Sequence, residues 1–221
     1  MKTNRVFLIS ILCLFIQPHL FGQVRQPLNK SIDLAIDSKN IKDNTSYYEM
    51  NIKGEKVGSW EWKVRRKGKV ITFKDISILD GRVREDALVT MNTDLMEVTR
   101  MDVKFKFTSG IMTGEVKADG AKLKANYTMK RGENTKNKHI DTTMNHWVAR
   151  PFLIGLMPYI KFKPGYKKEL TVFGLAGGSI GKMDIEVLGE AEVQVPAGKF
   201  QTQKVALRSK DKKITSNILR P

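Results

Sequence analysis

The sequence predicts a mainly β fold, a curved antiparallel sheet or half-open barrel wrapped around one short apolar helix. Three observations predict it. Apolar and polar residues alternate with period two in run after run. Turns rich in glycine separate those runs. A single stretch bracketed by prolines is apolar on every side. The 221 residues are 41% hydrophobic and 28% charged, ordinary globular chemistry that argues against disorder and against a polytopic membrane protein.

The N-terminus is set apart from this pattern. Lys2 and Arg5 precede an apolar run from Val6 to Ile16, followed by Gln17-Pro18-His19 and Leu20-Phe21-Gly22-Gln23. That layout is a signal peptide over residues 1–22, with cleavage expected between Gly22 and Gln23 and export to the periplasm or medium. The run is too short for a membrane anchor, which takes about 20 apolar residues. Cys13 is the only cysteine, and it sits inside the apolar run with Leu12 before it. A lipid-attachment signal would put a small residue there and the cysteine at the end of the run. The mature chain is therefore expected to be cysteine-free, which excludes disulfides, thiol catalysis and cysteine-ligated metals.

Residues 23–46 are polar and weakly patterned, and read as a lead-in or one short strand. Residues 47–221 read as a single β-rich domain. Trp60, Trp62 and Val64 alternate with charged residues, as do Met101, Val103, Phe105 and Phe107. The runs Met112 to Ala118 and Leu123 to Met129 continue the pattern, with a hairpin signal at Asp119-Gly120 between them. Later runs are Met183 to Val187 and Ala191 to Val195. One face is apolar each time, which describes a sheet dry on one side and wet on the other. In the stretch Trp147 to Ile160, Pro151 favours a first helical turn and Pro158 a stop. Residues 151–157 are thus expected to form a buried helix covering the dry face.

Motifs for catalysis are scarce. His139 and His146 are the histidines of the mature chain, and neither lies at zinc-site spacing from a carboxylate or histidine. Serines follow no nucleophile-elbow pattern. The glycine-rich run Gly174 to Gly181 lacks the Lys-Ser/Thr ending of a phosphate loop and reads as a turn between strands. Glu190 and Glu192 form an acidic pair with nothing assembled around it. No catalytic residue, metal or cofactor is assigned on this reading.

Charge is the outlier, with 39 Lys+Arg against 23 Asp+Glu. Without Lys2 and Arg5, 37 basic residues remain against 23 acidic, so the net charge falls from +16 to +14. The clearest concentration lies between Arg100 and Arg131, where Lys104, Lys106, Lys117, Lys122, Lys124 and Lys130 share the polar face. Such a face attracts anionic surfaces. Export makes nucleic acid a poor partner, and an anionic membrane surface fits the compartment better. Edge and surface lysines also keep sheets from aggregating, which is the plainer explanation.

Some segments resemble a known family. Tyr48, the turn Gly54-Glu55-Lys56-Val57-Gly58, and Trp60 and Trp62 resemble the opening of an uncharacterised family of exported bacterial β-proteins, a domain of unknown function. Val195-Pro196-Ala197-Gly198-Lys199-Phe200-Gln201-Thr202 is similar to that family's hairpin motif, and Pro151 to Tyr159 stands where the family has its inserted helix. The resemblance spans roughly residues 47–208. It implies the half-open barrel of the periplasmic lipoprotein carriers (LolA/LolB-like), an envelope location, and hydrophobic-ligand binding by analogy. The aromatic-bearing last strand of such domains has no counterpart in Ser209 to Pro221, which puts closure of the sheet in question.

The function expected from all this is a non-catalytic periplasmic or secreted binding module for a lipid or other apolar ligand. Its expected lining is Trp60, Trp62, Phe105, Phe107, Tyr127, Phe152 and Met157. The alternative is a scaffold or interaction protein of outer-membrane assembly whose dry face is filled core. A hydrolase would need His139 or His146 beside a carboxylate in a cleft. Empty volume on the order of several hundred Å³ against the dry face favours binding, and a packed centre favours the scaffold.

Overall fold

A computed structural model describes residues 26–52, 55–195, 198–210 and 215–220. The expected signal peptide, its cleavage point and Cys13 lie outside the described residues. So do Gly54, Pro196 and Ala197 of the quoted motifs.

Eight strands form one antiparallel meander in chain order. They are β1 (Asn44–Ile52), β2 (Glu55–Lys67), β3 (Val70–Leu79), β4 (Val83–Asn92), β5 (Glu97–Phe107), β6 (Gly110–Asp119), β7 (Lys122–Arg131) and β8 (Asn134–Thr143). A second sheet holds β9 (Trp147–Ala149), β10 (Lys167–Gly174), β11 (Ser179–Val195), β12 (Gly198–Ser209) and β13 (Thr215–Arg220), in the order β13-β12-β11-β10-β9. Neither sheet closes on itself, so the first is a curved, half-open wall. The strand in the C-terminal tail is present, paired antiparallel to β12.

Hairpin turns fix the register. Gly120, at φ 60°, opens the two-residue turn between the paired Asp119 and Lys122, a conformation that a β-carbon disfavours. With that register, Val64, Phe73, Val89, Met101, Val116 and Ala125 fall opposite one another across six strands. All six are buried, and they form the floor of the concave face.

The pair β9–β10 is parallel, which requires a crossover, and the apolar segment supplies it. There α2 (Arg150–Leu156), preceded in the chain by the short α1 (Leu28–Ser31), carries Pro151 in its first turn and continues as a 3-10 turn over Met157–Tyr159. Phe152, Leu153, Leu156 and Met157 are at most 1% exposed. Phe152 meets Phe73 edge-on at 5.6 Å between ring centres. The expected helix is therefore where the sequence puts it, against the dry face.

The lead-in reading of residues 23–46 needs correcting over its described part. Leu28, Ile32, Leu34, Ile36 and Ile41 are all buried. Backbone bonds tie the segment to distant chain, from Leu28 N–H to the Leu95 carbonyl at 2.9 Å and from Lys161 N–H to the Ala35 carbonyl at 3.2 Å. Isolated apolar residues with no regular period were sufficient once neighbouring chain supplied the hydrogen bonds.

Candidate functional site

Register places the expected lining residues in two cross-strand rows of the concave face. Trp62 begins the row Trp62, Asp75, Ala87, Val103, Gly114, Tyr127. Trp60 begins the next, Trp60, Ser77, Glu85, Phe105, Met112, Met129. Phe107 lies one step beyond Phe105 on the same face, with the two rings stacked at 5.9 Å. The rows bring these aromatics together, but not around an open chamber. Trp62, Phe105, Tyr127, Phe152 and Met157 are buried against one another and the rest of the core, while Trp60 and Phe107 are partly covered. Gly155 of α2 lies so close to the Trp62 indole that a β-carbon there would land on the ring. The deep half of the concave face is filled by the helix.

Two carboxylates in these rows were not singled out from the sequence. Asp75 is 3% exposed and accepts hydrogen bonds from Trp60 Nε1 at 2.5 Å and Ser77 Oγ at 2.9 Å, both on Oδ1. Burial pushes its carboxyl up to about 6, although those two donors and the charge of Arg150 act the other way. Glu85 is pushed up to about 7, first by burial and then by the neighbouring Asp75 charge, with Arg150 opposing. It makes no hydrogen bond among the described residues. A carboxylate so placed is costly unless a partner arrives. The signal was available, since Ile71, Phe73, Asp75, Ser77 and Leu79 share one strand face, as do Val83, Glu85, Ala87 and Val89. An acid in apolar register is the mark to look for.

The histidines go to different places. His139 stands on the outer face of β8, its Nδ1 2.7 Å from Asn126 Oδ1. His146, at φ 52°, lines a cleft of about 710 Å³ together with Glu97, Asp119, Lys122 and Trp147. That cleft sits at the β6–β7 turn, the opposite end of the sheet from the β3–β4 and β5–β6 turns. Among the described residues no cluster of histidines, cysteines and carboxylates suited to a metal ion is present. The run Gly174 to Gly181 spans the end of β10, the turn at 175–178 and the start of β11, with Gly178 pressed against Ile140 and Tyr127. Glu192 pairs with Lys199 at 3.5 Å on the β11–β12 hairpin.

All six lysines of the hairpin region are exposed on the outer face of the first sheet. Their settings differ. Lys117 pairs with Glu115 at 3.2 Å and Lys124 with Asp141 at 3.4 Å. Lys104, Lys106, Lys122 and Lys130 make no ion pair among the described residues.

No protein-family model and no curated protein matches the chain. Among solved structures it is similar to a β-barrel-like protein of domain of unknown function DUF1849 from Brucella abortus. The two share 11% sequence identity and a TM-score of 0.42 over 78% of each chain.

Proposed function

We propose that the chain is an exported, non-catalytic binding module that seats an amphiphilic ligand at the open end of its concave face. The observation that carries this reading is Glu85, an inward-facing, half-buried carboxyl that makes no hydrogen bond among the described residues, beside the partly exposed Trp60 and Phe107. A fold rarely keeps an unpaired acid on an apolar face for stability alone, because the cost is several kcal/mol in the worst cases. A ligand head that donates hydrogen bonds, an amine or a hydroxyl, removes that cost. Its apolar part then lies across Trp60, Phe105 and Phe107, gaining about 25 cal/mol per Å² covered. Because α2 fills the deeper half, the seat takes part of a chain rather than swallowing a whole acyl group.

Tryptophan fluorescence tests this directly, with a fatty amine and a fatty alcohol bearing a bromine quencher near the head. Saturable quenching is expected, weakened about tenfold or more in Glu85→Gln, the loss of one good charge-assisted contact. Absence of saturable quenching by either probe would sink the reading. The packing of Phe152, Leu153, Leu156 and Met157 into the centre favours a second reading, an interaction scaffold with a filled core. On that reading the protein ignores both probes and also purifies free of lipid by native mass spectrometry.

A further inference from the structure

The lysine face divides into a part where most cations are paired, Lys122 excepted, and a corner whose lysines make no ion pair among the described residues. At its β6–β7 end, Arg100 holds Asp102 at 2.7 Å and Glu115 at 2.9 Å, and Lys117 and Lys124 have carboxylate partners. At the other end, Lys106, Ile111 and Lys130 form a single cross-strand row, with Lys104 one step behind. Asp86 lies directly across from Lys104 and feels the Lys106 charge, but its carboxylate is held by Arg84 through two bonds of 2.8 and 2.9 Å. The adjacent β7–β8 turn carries one exposed cation and one exposed acid, Arg131 and Glu133. Three lysines that make no ion pair among the described residues therefore surround Ile111, which is 41% exposed.

We propose that this corner, formed by Lys104, Lys106, Ile111 and Lys130, docks the protein on an anionic lipid bilayer. The combination identifies the partner. A soluble polyanion would answer the three charges and leave Ile111 in water. A bilayer offers anionic headgroups to the ammonium groups and an apolar boundary to the isoleucine at the same depth. The turns between β1 and β2, β3 and β4, β5 and β6, and β7 and β8 all lie at this end of the meander, so the rim that carries the corner can approach a flat surface. Glu85 lies near the β3–β4 turn, at the same end of the sheet. Docking does not depend on a ligand being bound there.

Vesicle co-sedimentation tests the proposal with phosphatidylcholine alone and with about one quarter phosphatidylglycerol. Binding is expected only to the anionic vesicles, and it falls as salt is raised. The triple change Lys104→Gln, Lys106→Gln, Lys130→Gln is expected to weaken binding on the order of 100-fold, about fivefold for each lysine. Ile111→Ser is expected to weaken it several-fold while leaving the salt dependence unchanged. Lys117→Gln, Lys122→Gln, Lys124→Gln serves as the control, with far-ultraviolet circular dichroism confirming that every variant is folded. Equal binding to both vesicle types overturns the proposal, as does an equal loss in the control triple. Equal affinity for soluble heparin, unaffected by Ile111→Ser, also overturns it, because the corner is then a site for polyanions rather than for a bilayer.

Discussion

Replacing Gly155 with valine is expected to lower the unfolding midpoint by about 10 °C or more, the largest effect of any single change on the concave face. The side chain of residue 155 has no room, because its first carbon would fall on the Trp62 indole. Trp62 cannot step aside. It is 4% exposed, with Phe73 at 5.5 Å and Trp60 at 6.0 Å between ring centres. Overpacking of this kind usually costs about 1–3 kcal/mol, and more when the obstructing group is itself enclosed. Alanine should cost less, because it recovers about 1 kcal/mol of helix propensity relative to glycine. The double change Gly155→Ala with Trp62→Leu identifies the cause. If the clash is responsible, Gly155→Ala loses its penalty in the Trp62→Leu background, measured by urea unfolding as a coupling of at least about 1 kcal/mol. Equal penalties in both backgrounds would show that α2 does not rest on Trp62 in the way the geometry requires.

The same contact shows what a sequence can and cannot disclose. The helix at 150–156 was legible because Pro151 and Pro158 punctuate an all-apolar run. Strands β2, β5, β6 and β7 were legible because one face of each is core and the other solvent, which writes period two into the residues. Strand β8 was not. Its sequence Asn134–Thr143 is polar on both faces because it is the exposed edge of the sheet. In β3 and β4 the alternation is present but interrupted, since Asp75 and Glu85 occupy positions where the pattern calls for apolar residues. The aromatic part of the candidate site could therefore be read directly, whereas its polar part became recognisable only with the register known. Lysine numbers gave the basic face. Which lysines lack a partner depends on cross-strand neighbours such as Asp141 opposite Lys124, and no local pattern encodes those.

Raising the pH from 5 to 8 is expected to destabilise the fold, the reverse of the usual carboxylate behaviour, and Asp75 and Glu85 are the reason. Their folded values, about 6 and about 7, lie above the ordinary 3.8 and 4.5, so the folded state binds more protons than the unfolded chain through this window. Stability from these groups is fully present below about pH 4 and is lost as the pH rises through 6 and 7. Each unit of difference corresponds to about 1.4 kcal/mol, so the pair together accounts for a few kcal/mol, less than a simple sum because the Asp75 charge is part of what raises Glu85. Carboxyls held low by cations, among them Asp86 beside Arg84 and Glu186 beside Arg208, act in the opposite sense but only at more acid pH. Glu85→Gln keeps the shape and removes the charge. It is expected to raise stability by less than about 1 kcal/mol at pH 5 and by about 2–3 kcal/mol at pH 8. Asp75→Asn should do less, because ionised Asp75 already has Trp60 and Ser77 as donors whereas Glu85 has none among the described residues. Urea midpoints of the three proteins at pH 5, 6.5 and 8 decide it. Parallel curves would mean that water reaches Glu85 freely, and a freely hydrated acid gives a ligand head nothing to relieve. A divergence that opens between about pH 4.5 and 7 and levels off above would mean that the apo protein holds an uncompensated charge on its apolar face, the condition on which recognition of a hydrogen-bond-donating head depends.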